Sequence, residues 1–140
     1  MRVVLDTNVI TSAFFSPVGP PAQILALLER GVFELVVSEA ILAEYERVLN
    51  YPKVRSRHSL TDDELARFLA RLRQVAMLVE PQEALTIVAD DPHDNKFLEC
   101  AVVASAMYIV SGDRHLNALG EFRGIQILRP VVFVAVLASE

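Results

Sequence analysis

The chain has 140 residues, of which 53% are hydrophobic and 22% charged, the balance of a folded protein with a real core and not of a disordered tail. Its formal net charge of −5 offers no global basic field to nucleic acid, although a local patch would be enough. A lone cysteine, Cys100, excludes an intrachain disulfide framework and a cysteine-rich zinc site.

In chain order, residues 2–6 open with Val3-Val4-Leu5, apolar on both faces like a strand inside a parallel sheet, and stop on Asp6. Asp6 falls inside what would have to be an apolar signal core, so secretion is not expected. Pro20-Pro21 suits the start and Gly31 the end of a helix over about 20–31. "FELVVS" (33–38) reads as a strand and 38–50 as a helix, which Pro52 closes. Further helices are expected at 61–76, 92–106, 114–119 and 130–138, and further strands at "LTIVA" (85–89), "YIVSGD" (108–113) and "IQIL" (125–128). The apolar run "VVFVAVLA" (131–138) is too short to cross a bilayer. No repeat, low-complexity stretch or linker interrupts the pattern.

This alternation implies an α/β fold: one domain over residues 1–140, with a mostly parallel central sheet of about five strands flanked by helices. No membrane association and a cytoplasmic location are expected. Ligands of such sheets bind beyond the carboxyl ends of the strands. Asp6, Ser38 and Asp113 all fall there.

Each acid has a bland explanation beside a chemical one. Asp91 before Pro92 is sufficiently explained as a helix N-cap. Asp94 lies in the middle of the apolar stripe formed by Leu98, Ala101, Val102 and Ser105, with Phe97 on one flank and Glu99 pointing away. A carboxylate on such a face is costly unless it meets a cation or donors, although a first-turn acid also complements the helix dipole. In "SEAILAEYERVL", Ser38 can cap and Glu39 suits the first turn. Glu44 and Glu46 flank the stripe of Ile41, Tyr45, Val48 and Leu49 on opposite sides, and periodicity does not choose between them. Asp113, with Gly112 allowing a tight turn ahead of it, and Asp6, with Thr7 or Asn8 as rival caps, could both be N-caps.

Together the acids say more. Clustered carboxylates raise one another's pKa unless a cation neutralises them, and oxygen ligands favour Mg²⁺ or Mn²⁺ over zinc. His58, His93 and His115 are scattered, with no pair at metal spacing. Such a site suits attack of water on a phosphodiester.

"VVLDTNV", "SEAILAEYERVL", "DPHDNKFLECA" and "YIVSGDRHL", in this order and spanning nearly the whole chain, resemble the PIN-domain family of nucleases, above all the VapC-like toxin component of type II toxin–antitoxin pairs. The resemblance implies a metal-dependent ribonuclease in which Asp6, Glu44, Asp94 and Asp113 hold Mg²⁺ or Mn²⁺. It selects Glu44 over Glu46, and it matches Asn8 and Ser111 to polar positions that orient carboxylates or water. Ser111 stands where threonine is more usual. An RNA substrate, a small antitoxin protein and a homodimer are the implied partners; the apolar C-terminal run or the 61–76 helix could serve a dimer.

"RVLNYPKVRSRH" brings Arg47, Lys53, Arg55 and Arg57 together without an acid, and Tyr51 could stack on a base. A solvated loop that balances neighbouring acids is the simpler explanation, since charge runs usually mean exposure. Arg67, Arg71 and Arg73 follow helical spacing beside Leu65, Phe68, Leu69 and Leu72, a stripe that suits core or interface. Cys100 reads as a small buried hydrophobe. Two other functions compete: phosphotransfer through an aspartyl phosphate on Asp6, where Asn8 occupies the place of a commonly required second acid, and a non-catalytic α/β binding module whose acids are caps.

Overall fold

The computed structural model describes residues 1–87 and 94–140. Six strands form one sheet in the order β3-β2-β1-β4-β6-β5: β1 (Arg2–Leu5), β2 (Glu34–Val37), β3 (Met77–Leu78), β4 (Tyr108–Val110), β5 (Glu121–Phe122) and β6 (Ile125–Leu128). All neighbouring pairs are parallel except β5 with β6. Val3, Val4, Leu5, Leu35, Val36, Ile109 and Val110 are completely buried, as expected where helices cover both faces of a parallel sheet. This is the α/β architecture with a mostly parallel sheet that the alternating pattern implied. The helices are α1 (Thr7–Phe15), α2 (Pro20–Glu29), α3 (Glu39–Leu49), α4 (Pro52–His58), α5 (Asp62–Val75), α6 (Asn95–Ala104), α7 (Arg114–Leu119) and α8 (Pro130–Ala138). Among the described residues no helix is long and apolar enough to cross a membrane.

Four departures from the sequence pattern have physical causes. Helix α1, implied by the capping reading of Asp6, is missing from the helices expected from pattern because "TNVITSAFF" is rich in β-branched and aromatic residues of modest helix propensity. Burial of Val9, Ile10 and Ala13 fixes it instead. The expected basic loop is helix α4, since Pro52 both closes α3 and occupies the first turn of the next helix. Its end is sealed by buried His58, which meets the Leu49 carbonyl through Nε2 at 3.0 Å and accepts from the Leu60 amide at Nδ1 at 3.0 Å.

The strand expected at 85–89 is not present over 85–87, and residues 88–89 lie outside the described residues. The amides of Leu85 and Ile87 donate instead to Glu99 Oε2 (2.8 Å) and Asn95 Oδ1 (3.0 Å), so side chains of α6 replace a ladder. The edge beside β2 is filled by the two-residue β3. A sixth strand, β5, arises because Arg123 and Gly124 both take positive φ (51° and 84°), the tight turn that closes a two-residue hairpin. The expected helix over 92–106 is described from Asn95, and the capping expectation for Asp91 lies outside the described residues.

Candidate active site

The site is built at the carboxyl end of the central strands. One residue past β1, the Asp6 amide donates to the Val110 carbonyl at 2.9 Å. This extends the β1–β4 pairing and holds the Asp6 side chain, only 4% exposed, at the crest of the sheet. Asp6 stands at the N-cap position of α1 but makes no side-chain capping bond. Its Oδ2 accepts instead from the Ser111 hydroxyl at 2.6 Å and the Asn8 amide at 3.2 Å. Capping therefore does not account for this carboxylate.

Ser111, completely buried, also accepts from the Asp113 amide at 2.9 Å. Asn8 accepts from the Gly112 amide at 3.0 Å, and Asn117 donates to the carbonyls of Ser111 and Asp113 at 2.7 and 2.8 Å. Asn8 and Ser111 thus tie the end of β1 to the 111–113 turn. Gly112 does not use a positive φ there, and a Cβ on it would meet Asn8 Oδ1 at an ordinary 3.5 Å. The hydrogen bonds, not glycine's freedom, shape this turn.

Burial is the main force on Asp6 and pushes its carboxyl up to about 6. The Ser111 hydroxyl and the Thr7 amide oppose the rise, while the negative charges of Glu44 and Asp113 add to it.

Glu44 comes from α3 and is buried, whereas Glu46 is exposed. Its Oε2 accepts from the Thr7 hydroxyl and its Oε1 meets the Lys96 ammonium, with the Arg47 guanidinium further off at 3.7 Å. The next residue, Tyr45, fixes α3 over β1 by donating its hydroxyl to the Leu5 carbonyl at 2.5 Å. Burial holds that phenol well above its ordinary range, with the charge of Asp6 contributing. It stays a neutral donor.

Asp94 is buried at the N-cap position of α6. Two positions later Lys96 reaches Glu44, which brings the start of α6 to the same crest. Asp113 is half-buried and its Oδ2 caps α7 by accepting from the Leu116 amide at 3.0 Å. For Asp113 the capping role is real, and its charge acts on Asp6 as well.

The basic stretch divides. Arg55 is tied into the fold by Asp62 (2.6 Å) and Asn50 Oδ1 (2.9 Å), while Arg57 lies 3.7 Å over the Phe15 ring and Lys53 is exposed. Arg71 and Arg73 pair with Glu29 and Glu39 at 2.7 and 2.9 Å, joining α5 to α2 and α3. Buried Cys100 is pushed up to about 12 by burial, so it remains a thiol and no nucleophile.

Three partners escaped the sequence: the Thr7 hydroxyl, the Tyr45 hydroxyl and Lys96. Lys96, a cation two residues after Asp94 in a mostly apolar helix, was the available signal. The donor chemistry fits a hard divalent cation. The carboxylates are oxygen donors, two of them raise the pKa of a third, and Glu44 already holds a cation. Among the described residues no group of three or more acids, histidines or cysteines is gathered at metal-holding spacing; Glu44 meets Lys96 and Thr7, and Asp113 caps its helix.

Residues 2–115 match the PIN domain family, a span that contains Asp6, Glu44, Asp94 and Asp113. The uncharacterized protein MJ1680 of Methanocaldococcus jannaschii is 30% identical over 119 residues, covering 85% of this chain and 75% of that protein. PAE2754 from Pyrobaculum aerophilum superposes with a TM-score of 0.64 at 14% identity, over 100% of this chain and 91% of that one. A chain of VapBC2 from Rickettsia felis, in a crystal structure bound to a DNA fragment from their promoter, gives 0.59 at 15% identity, over 92% and 98%. The two structures share the fold. With four-fifths of its length inside the match, the chain belongs to the PIN domain family.

Proposed function

We propose that the protein, one domain over residues 1–140, is a metal-dependent endoribonuclease that hydrolyses RNA phosphodiester bonds, with Asp6, Glu44, Asp94 and Asp113 holding Mg²⁺ or Mn²⁺. The observation that carries this reading is the burial of Asp6 at the carboxyl end of the central strand under the combined repulsion of Glu44 and Asp113. A fold does not keep such an arrangement for stability, because burying like charges together is costly without a cation.

When bound, the divalent ion supplies a Lewis acid that activates water and offsets charge on the phosphate. The chain's own residues orient the donors. Ser111 and Asn8 hold Asp6 Oδ2 at 2.6 and 3.2 Å. Thr7 fixes one oxygen of Glu44, and Tyr45 holds the helix that carries it. Lys53, Arg57 and, less freely, Arg55 on α4 supply positive charge for RNA phosphates, beside α1 and α3.

The fold shared with the VapBC2 chain and the ordered motifs support a role as the toxin of a toxin–antitoxin pair, acting in the cytoplasm as a homodimer and neutralised by a small antitoxin protein. The test is cleavage of RNA by the purified chain with Mg²⁺ or Mn²⁺. Activity lost on chelation and in Asp6→Asn is the expected result; cleavage that survives a chelator overturns the reading.

A further inference from the structure

Lys96 is one of only two lysines in the chain, and its side chain is just 19% exposed against a Glu44 side chain exposed by 11%. A cation so far out of water needs a partner, and among the described residues Glu44 Oε1 supplies it. The other oxygen of Glu44 is taken by the Thr7 hydroxyl. Both oxygens of this carboxylate thus have partners on the chain. In the nuclease reading, on which this inference rests, Glu44 must also serve a divalent ion.

A divalent ion and an ammonium on one carboxylate oxygen repel strongly at this degree of burial. We propose that Lys96 is a resident counter-cation: it holds Glu44 in the metal-free protein, gives it up when the divalent ion enters, and so sets the ion concentration at which the site fills. Lys96 is a positioning residue that acts through Glu44. Thr7 fits the exchange, because its hydroxyl keeps Oε2 in place while Oε1 changes partners. Arg47, 3.7 Å from the same oxygen and half exposed, can withdraw into solvent; Lys96 is the cation enclosed with the acid.

The experiment titrates Mn²⁺ into wild type, Lys96→Met, Lys96→Arg and the double variant Glu44→Gln/Lys96→Met without RNA, reading heat of binding and melting temperature. Lys96→Met melts lower than wild type in chelator, binds Mn²⁺ about tenfold or more tightly, the size of effect that groups beside a ligand exert, and shows a larger metal-induced rise in melting temperature. Lys96→Arg, which keeps the charge, stays near wild type. If Lys96→Met folds only when Mn²⁺ is supplied, the same conclusion holds. The double variant loses the tightened binding, because the carboxylate that Lys96 guarded is gone.

Weaker or unchanged binding in Lys96→Met overturns the inference and leaves the nuclease reading standing. Absence of Mn²⁺ binding in wild type overturns both.

Discussion

Ser111 and Asp6, 105 positions apart in the chain, meet in a 2.6 Å hydrogen bond in which the serine hydroxyl donates to the buried carboxylate. The same oxygen of Ser111 receives the Asp113 amide, so one hydroxyl links the acids at the ends of β1 and β4. Ser111→Ala removes the donor while Asp6 stays buried. A hydrogen bond to a charged group contributes about 1.5–3 kcal/mol, and urea denaturation of the metal-free variant near neutral pH shows a loss of that size. A loss below ~0.5 kcal/mol would mean the bond does not hold the carboxylate.

The raised carboxyl of Asp6 sets a pH dependence. Its folded-state value of about 6 lies above the ordinary 3.8, so between these values the folded chain binds more protons than the unfolded one, and stability falls as pH rises. Metal-free protein therefore loses roughly 2–3 kcal/mol between about pH 4 and pH 6 on account of this residue. Asp6→Asn removes the slope, measurable as denaturation midpoints across that window. A wild-type profile no steeper than that of the variant contradicts the assignment.

Tyr45→Phe tests how α3 is held. The ring keeps filling the core, but the Leu5 carbonyl loses its 2.5 Å donor, at a cost of about 1–3 kcal/mol for an acceptor left buried. Because Tyr45 adjoins Glu44, its loss also loosens the placement of that acid, and Mn²⁺ binding weakens in the same variant. Stability equal to wild type by urea denaturation would show that the hydroxyl does not anchor the helix.

Asp94 separates a metal site from a binding module whose acids are caps. Divalent ions raise the melting temperature of wild type, and Asp94→Leu abolishes that rise. A variant that keeps the full rise returns Asp94 to a structural role at the start of α6.

Much of this was legible in the sequence because the strands are buried on both faces. Val3-Val4-Leu5 and Ile109-Val110 are apolar on both faces, and with the alternation of strand-like and helical segments this announced a mostly parallel sheet flanked by helices. Asp94 was legible for a related reason: a carboxylate in register with the apolar stripe of the following helix stands out, and it is buried, at the N-cap position of α6. Glu44 was not separable from Glu46 by periodicity, because both flank the stripe and only the docking of α3 through Tyr45 decides which turns inward. Lys96 was hidden by the usual preference of lysine for solvent, and nothing local in the sequence says that Glu44, 52 positions earlier, comes to meet it. Helix α1 was hidden because tertiary burial overrides its weak propensity.

The central claim is that Asp6 is kept for chemistry at the expense of stability. Its most direct test is RNA cleavage with Mn²⁺ by Asp6→Asn, assayed at neutral pH on protein whose metal-free melting temperature has been recorded. In the nuclease reading Asp6→Asn melts higher than wild type and cleaves no RNA, so that the loss cannot be ascribed to unfolding. An Asp6→Asn variant that still cleaves RNA at a rate comparable to wild type would contradict it.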